Sequence, residues 1–171
     1  MISQYLSQNL RIMKNLKIEI KWAFLFSLAT LLWMVVEKSL GWHDEKIGDH
    51  ASLTNIFAVV AITLYVFALL DKKRNYFKGV MNYKQGFASG AILSVFIAIL
   101  SPLTQYIINK FITPDYFNNI IDYSVSAGEM KREAAEAYFN IQSYMVQASV
   151  GALLMGLVTT AILAFFLKSK G

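Results

Sequence analysis

The chain has 171 residues, a formal net charge of +5 and a hydrophobic fraction of 56%, where soluble domains typically reach about 45–50%. Only 16% of its residues are charged, and it contains no cysteine. This composition argues against a soluble globule, a disordered chain and a disulfide scaffold. The absence of cysteine excludes thiol catalysis and cysteine metal sites.

Four long apolar segments are predicted to cross a membrane as α-helices. Spanning the hydrocarbon core takes about 20 helical residues, and lipid offers the backbone no hydrogen-bond partner outside its own segment. The spans are expected at about 22–41, 52–70, 86–109 and 141–167. We therefore expect one all-α domain over residues 1–171. It is a membrane four-helix bundle with a helical extracytoplasmic loop between helices 3 and 4, at about 113–140.

Lysine and arginine are concentrated on one side of the predicted membrane. Eleven of them precede the first span, separate the second from the third, or follow the fourth, whereas the other two loops hold five. The positive-inside rule then places both termini in the cytoplasm of a multi-pass protein of the bacterial inner membrane. Anionic lipid headgroups are the expected partners of this basic side. Nucleic-acid binding is not expected, because no compact basic module is present.

The first thirteen residues have two interpretations. Apolar residues recur there at helical spacing, at Ile2, Tyr5, Leu6, Leu10 and Met13. This pattern predicts a short amphipathic helix on the cytoplasmic face. Alternatively, translation begins at Met13, because "MKNLKIEIKW" is a natural opening before a first span.

The first outer loop, residues 37–50, contains both histidines of the chain. It offers residue types that bind transition metals: His43, Asp44, Glu45, Asp49 and His50. No His-x-x-x-His pair fixes two ligands on one helical face, and the two glycines of the loop suggest a flexible turn. We expect a solvated polar loop without a bound metal, anchored at the membrane surface by Trp42.

The second outer loop is predicted to contain two helix starts. Thr113, Pro114 and Asp115 form the first, with a capping threonine and a proline at the first helical position. The residues that follow place Tyr116, Phe117, Ile120, Ile121 and Ser124 on one face. A capping box at Ser126 to Glu129 is the second start, and nothing breaks the pattern before Lys168, which predicts one helix of about 40 residues. This outer piece is expected to pack over its own bundle, with a partner protein as the alternative.

Four polar side chains lie at a similar outer depth of the predicted bundle: Glu37, Gln105, Asn109 and Gln147. A carboxylate at low dielectric needs donors or water. Glu37 is therefore expected to point into the outer mouth of the bundle and to meet one of the amides, or Lys38 or Lys110. These groups either join helices by hydrogen bonds or form a shallow extracytoplasmic pocket.

The third and fourth spans contain glycines at short spacings, and the third span also contains a proline. Gly86, Gly90, Gly151 and Gly156 predict close packing within the bundle, with dimerisation as the second interpretation. Pro102 removes a hydrogen bond from the third span and predicts a kink there. Such breaks occur at transporter binding sites and also in helices without transport.

The order of these segments resembles a known family. A basic leader precedes "KIEIKWAFLFSLATLLWMVVEKSLGWHD", with Trp22, Glu37 and Gly41, and a second helix ends in charges. "YKQGFASGAILSVFIAILSPLTQYI" follows, with Lys84 and Gly86, then an acidic helical loop and a last helix. Over residues 14–168 the chain is similar to the small bacterial membrane proteins, common in the Bacteroidota, known as domain of unknown function 4199. The resemblance implies a four-helix integral inner-membrane protein and no particular activity.

Sequence motifs of catalysis and cofactor binding are missing. The chain has no phosphate loop, dinucleotide fingerprint, Gly-x-Ser-x-Gly or His-Glu-x-x-His motif. We expect no enzyme activity and no cofactor, and predict a structural or accessory protein, alone, as a homo-oligomer or in a larger membrane assembly. One alternative is a small oligomeric transporter or channel, favoured by a polar cavity continuing past Gln105. A second is a membrane-embedded enzyme or an outer-face metal site.

Overall fold

The computed structural model describes the backbone of residues 2–169 and the side chains of residues 16–169. This part of the chain forms six helices: α1 (Ile2–Ser39), α2 (Ile47–Asn75), α3 (Tyr83–Ile112), α4 (Tyr116–Ser126), α5 (Arg132–Tyr138) and α6 (Ile141–Leu167). Helix α2 opens with two short 3-10 turns, and α3 closes with a π-helical turn. The predicted apolar face of residues 2–13 and the charge of Lys170 lie outside the described side chains.

Four of the helices are long and apolar enough to cross a membrane: Leu16–Ser39 of α1, and the whole of α2, α3 and α6. The prediction of an all-α chain with four helices able to cross a membrane is thereby confirmed for the described residues. Large apolar side chains on the outer faces, such as Val59, Ile99 and Phe166, expose more than half of their surface. Water would disfavour so much apolar exposure, whereas lipid does not, as expected of an integral membrane protein.

The four spanning helices alternate in direction and enclose a small apolar core. Helix α3 packs most extensively on α6, and next on α1. The core is formed by Ala23, Tyr65, Ala68, Leu93 and Ile97. We call the end of the bundle that contains Glu37, His43 and Asn119 the acidic end. The opposite end, with Glu19, Lys72 and Met81, is the basic end.

Close contact between α3 and α6 depends on three of the glycines noted in the sequence: Gly86, Gly90 and Gly156. A Cβ atom at Gly90 would lie 2.3 Å from Thr160 Cγ2, and one at Gly156 would lie 2.3 Å from Ser94 Oγ. These separations are far below van der Waals contact. Gly151 faces open space instead, so the predicted packing role does not extend to it.

A buried ion pair joins α1 to α2 at the basic end. Lys72 Nζ lies 2.8 Å from Glu19 Oε1, and the side chains of both residues are almost fully buried. Ser89 Oγ of α3 donates to the same carboxylate at 2.7 Å. The sequence places these charges on one side of the membrane but gives no sign that they are paired.

The end of α3 differs from the predicted helix start that follows it. Helix α3 continues as an α-helix through Pro102 to Ile107, and Thr113 then closes its π-helical turn. The backbone N–H of Thr113 donates to the Ile108 carbonyl at 2.8 Å. Thr113 therefore ends α3, and the prediction that it caps the next helix is wrong. Asp115 is the residue that immediately precedes α4.

The predicted continuous helix from Ser126 to Lys168 is also wrong. Ser126 ends α4, and Gly128, with φ +73°, turns the chain before α5 begins at Arg132. Asn140 separates α5 from α6, because its backbone is extended and its side chain accepts a hydrogen bond from Ser143 N. Asparagine caps compete well with helix continuation, and a left-handed glycine ends a helix.

Candidate binding site at the acidic end

The C-terminal end of α1 positions the first residues of the site. Gly41 adopts φ +72°, and Trp42 N–H donates to the Glu37 carbonyl at 3.1 Å while Gly41 N–H donates to the Lys38 carbonyl at 3.0 Å. This pair of bonds is a Schellman motif, in which a left-handed residue closes the last turn. The chain reverses there, so that His43 returns to the side of α1 that carries Glu37.

Glu37 is the most deeply buried acid of the site, with none of its surface exposed. His43 Nε2 lies 2.9 Å and His50 Nε2 lies 3.2 Å from Glu37 Oε2. Trp33 Nε1 donates to the other carboxylate oxygen. Each oxygen of the carboxylate therefore contacts a nitrogen of a ring side chain, as a buried charge requires.

Tyr116 extends this network from α1 and α2 to α4 and α6. Its hydroxyl lies 3.1 Å from His50 Nδ1 and 3.2 Å from the Tyr144 hydroxyl. Burial, with Tyr144 close by, raises the pKa of the Tyr116 phenol well above its ordinary range. Tyr116 therefore stays protonated at neutral pH and keeps a hydrogen for donation within the network.

Helix α4 covers the loop that contains the histidines. Asn119 Nδ2 donates to the His43 carbonyl at 3.1 Å and to Asp44 Oδ1 at 2.7 Å. Ile120 of α4 packs against Ile47 in a small buried cluster. Gly48 lies so close to the Tyr123 ring that a Cβ atom at this position would overlap the ring. The loop is held in one place by these contacts.

These contacts correct the prediction for the first outer loop. The sequence predicts a flexible, solvated loop, whereas His43 and Trp42 are 4% and 8% exposed. Trp42 packs its ring against Trp33 instead of anchoring the membrane surface. The signal for this arrangement is Gly41, because a glycine just past the end of an apolar helix marks an ordered helix end as well as allowing a flexible turn.

A cavity of about 880 Å³ lies over the histidines and is lined by residues of α2, α3, α4 and α6. Three of the four predicted pocket residues line it: Gln105, Asn109 and Gln147. Aromatic side chains complete the wall, among them Phe117, Tyr138 and Tyr144. The cavity therefore offers amide and hydroxyl groups beside aromatic surface.

Glu37 lies behind the two histidines that line the cavity, and its hydrogen bonds differ from those expected. It bonds to His43, His50 and Trp33 rather than to an amide of α3 or α6. Lys38 donates to the Ile112 carbonyl. The Gln147 side chain accepts from the Tyr138 hydroxyl at 3.3 Å. The sequence pointed to the acid and the amides, but not to the tyrosines or to the pairing of Glu37 with the histidines.

Beneath the cavity the bundle is packed. The lining extends down to Met34 and Gln105, and the core residues Tyr65, Leu93 and Ile97 lie below it. The Tyr65 hydroxyl and Ser94 Oγ are hydrogen-bonded to each other at 2.8 Å. Tyr65 and Ser94 thus satisfy each other within the protein, whereas Thr160 Oγ1, on the same face of α6 as Gly156, is buried without a partner among the described residues.

Comparison with known proteins supports the resemblance seen in the sequence. The family described as "Protein of unknown function (DUF4199)" matches residues 21–169. No curated protein and no solved structure matches the chain. The geometry of the site itself therefore carries the functional argument.

Proposed function

Since the chain belongs to the DUF4199 family of proteins of unknown function, we propose its role from its own geometry. It is an accessory protein of the bacterial inner membrane, not an enzyme, which binds a small polar and aromatic ligand at its extracytoplasmic end. The observation that carries this proposal is the cavity over His43 and His50, whose lining ends at Gln105. A cavity open at one end can bind a ligand, whereas a channel needs a continuous pathway.

The charge distribution supports placing the acidic end outside. Exposed cationic side chains at the basic end include Arg74, Lys78 and Lys84, as the positive-inside rule requires of a cytoplasmic face. Both termini are then cytoplasmic. Anionic headgroups are the proposed partners of these side chains, and another membrane protein or a second copy is the proposed partner within the bilayer.

The histidines support binding rather than catalysis. A nucleophilic mechanism needs a hydroxyl or thiol within hydrogen-bond reach of its base. In the part of the chain with described side chains, His43 bonds to Glu37, and His50 bonds to Glu37 and Tyr116. Glu37 bonds to both rings, and the hydroxyl within reach of His50 is the Tyr116 phenol, whose pKa is raised by burial, so that it is poorly suited to act as a nucleophile. Among the described side chains, no serine or threonine hydroxyl bonds to either ring.

The orientation predicts opposite labelling of two single-cysteine variants, which is a clean test because the wild type has no cysteine. In intact spheroplasts, a membrane-impermeant maleimide should label Asp122→Cys and should not label Lys73→Cys. Lysed membranes give the total reactivity of each variant. The reverse pattern in intact spheroplasts would overturn the proposed orientation.

The binding cavity predicts a second labelling pattern along α3. Gln105→Cys should react with a small hydrophilic thiol reagent added outside, because its side chain lines the cavity. Leu103→Cys, on the exposed apolar face of the same helix, should not react, because thiolates do not form in hydrocarbon. Ser94→Cys, which is fully buried, should stay unreactive from both sides.

Two outcomes would overturn the binding proposal. Equal labelling of Gln105→Cys and Leu103→Cys would show that the cavity is not a distinct aqueous compartment. Labelling of Ser94→Cys from either side, in a protein with wild-type stability, would show that water passes the core and would favour the transporter interpretation.

A further inference from the structure

We infer that Glu37, His43 and His50 form a binding site for a divalent transition metal, with Zn²⁺ as the best-suited ion. Each of the three residues offers one ligand atom, and these atoms lie within 4.8 Å of one another. Ligands about 2.0–2.2 Å from a tetrahedral ion lie roughly 3.3–3.5 Å apart. The nitrogen–oxygen separations of 2.9 and 3.2 Å need only a small adjustment to reach that range, and the two imidazole nitrogens lie within 4.8 Å of each other.

The donor set suits a borderline transition metal better than a hard cation. Two imidazoles and one carboxylate are common ligands of Zn²⁺, whereas Mg²⁺ and Ca²⁺ prefer sites built only from oxygen. The charge of the site also favours a bound cation, because the Glu37 carboxylate is completely buried. Among the described side chains, no lysine or arginine forms an ion pair with it.

Two of the three ligands, Glu37 and His50, already have the outer contacts that metal ligands need. Trp33 Nε1 donates to one oxygen of Glu37, and the other oxygen faces both histidine nitrogens, where an ion could replace their hydrogen bonds. The Tyr116 hydroxyl contacts His50 Nδ1 at 3.1 Å, which orients the ring with Nε2 toward the carboxylate. Such partners fix the orientation of metal ligands and raise their affinity.

One atom in the site lacks a partner, which is a second and independent observation. His43 Nδ1 is buried and has no hydrogen-bond partner among the described residues, although buried polar atoms are nearly always satisfied. His43 also lines the cavity. A water molecule or a ligand in the cavity can bond to this nitrogen and serve as the outer partner that a metal-bound His43 needs.

Metal binding goes beyond the proposed ligand-binding role and does not depend on it. The test is direct titration of the purified full chain, carried without a polyhistidine tag and stripped of metal by a chelator. We expect Zn²⁺ to bind saturably at about one ion per chain. The same binding should raise the melting temperature, because an ion that binds only the folded state stabilises it.

Variants then locate the ion. His43→Gln, His50→Gln and Glu37→Gln should each abolish stoichiometric binding. Matched controls are Glu45→Gln and Asp49→Asn, which remove exposed acids of the same loop and should bind Zn²⁺ like the wild type. Tyr116→Phe should weaken binding by roughly 10–100-fold, the usual effect of losing an outer partner of a ligand.

The wild-type titration, the ligand variants and the control variants each have a result that would overturn the inference. A wild-type chain that takes up less than about a tenth of an ion overturns it without reference to any variant. Binding that survives in all three ligand variants places the ion elsewhere. Loss of binding in the two controls as well would show that the loop binds ions only through its surface charge.

Discussion

Replacing Glu19 by alanine should lower the free energy of unfolding by about 3–5 kcal/mol, because it leaves the Lys72 ammonium without its buried carboxylate. The pair is almost fully buried, with Lys72 Nζ 2.8 Å from Glu19 Oε1. Ser89 also loses the carboxylate to which its hydroxyl donates. Reversible unfolding in mixed micelles, followed by circular dichroism, measures the change.

The double variant Glu19→Gln with Lys72→Met distinguishes the loss of the buried counter-charge of Lys72 from the loss of side-chain packing. It removes both charges together, and it should be substantially more stable than Glu19→Ala. Asp122→Asn is the matched control, because the Arg132–Asp122 pair is exposed on both sides and its loss should leave stability nearly unchanged. A loss in Glu19→Ala no larger than in Asp122→Asn would contradict the buried pair.

The second large effect is expected for Gly156→Ala, which should destabilise the protein by about 1–3 kcal/mol through overpacking. The new methyl group would lie 2.3 Å from both Ser94 Oγ and the Tyr65 hydroxyl. These two groups are hydrogen-bonded to each other at 2.8 Å. The methyl group must therefore separate α6 from α3 or break this bond.

Gly151→Ala is the control for that experiment, because both positions lie in α6 and a Cβ at Gly151 meets open space. Alanine is a better helix former than glycine by up to about 1 kcal/mol, so Gly151→Ala should leave stability unchanged or raise it. Equal destabilisation by the two substitutions would show that α6 does not pack on α3 through Gly156.

The spanning helices were predictable because the lipid environment imposes strict requirements on any segment that crosses it. A segment must be apolar over about 20 residues and must satisfy its backbone internally, and both properties are visible in a single sequence. Helix ends are decided by weaker and competing signals. Asn140 begins α6 by capping it, although the residues around it favour a continuous helix.

The pairings of the buried charges, at the basic end and within the site, could not be predicted in the same way. Glu19 and Lys72 are 53 positions apart, and their contact depends on how α1 packs against α2. Glu37 and His43 are close in sequence, but they meet only because Gly41 reverses the chain. The contact between Tyr116 and His50 further requires α4 to fold back over the loop. Such contacts depend on tertiary packing, which single-residue patterns do not encode.

X-ray absorption at the zinc edge of the Zn²⁺-loaded full chain shows whether Glu37, His43 and His50 bind one ion together. We expect a first shell of nitrogen and oxygen at about 2.0–2.2 Å, with the outer-shell scattering of two imidazoles. In His50→Gln, at matched zinc content, the signal of at least one imidazole should disappear. A wild-type spectrum without imidazole scattering would exclude the site, because His43 and His50 are the only histidines of the chain.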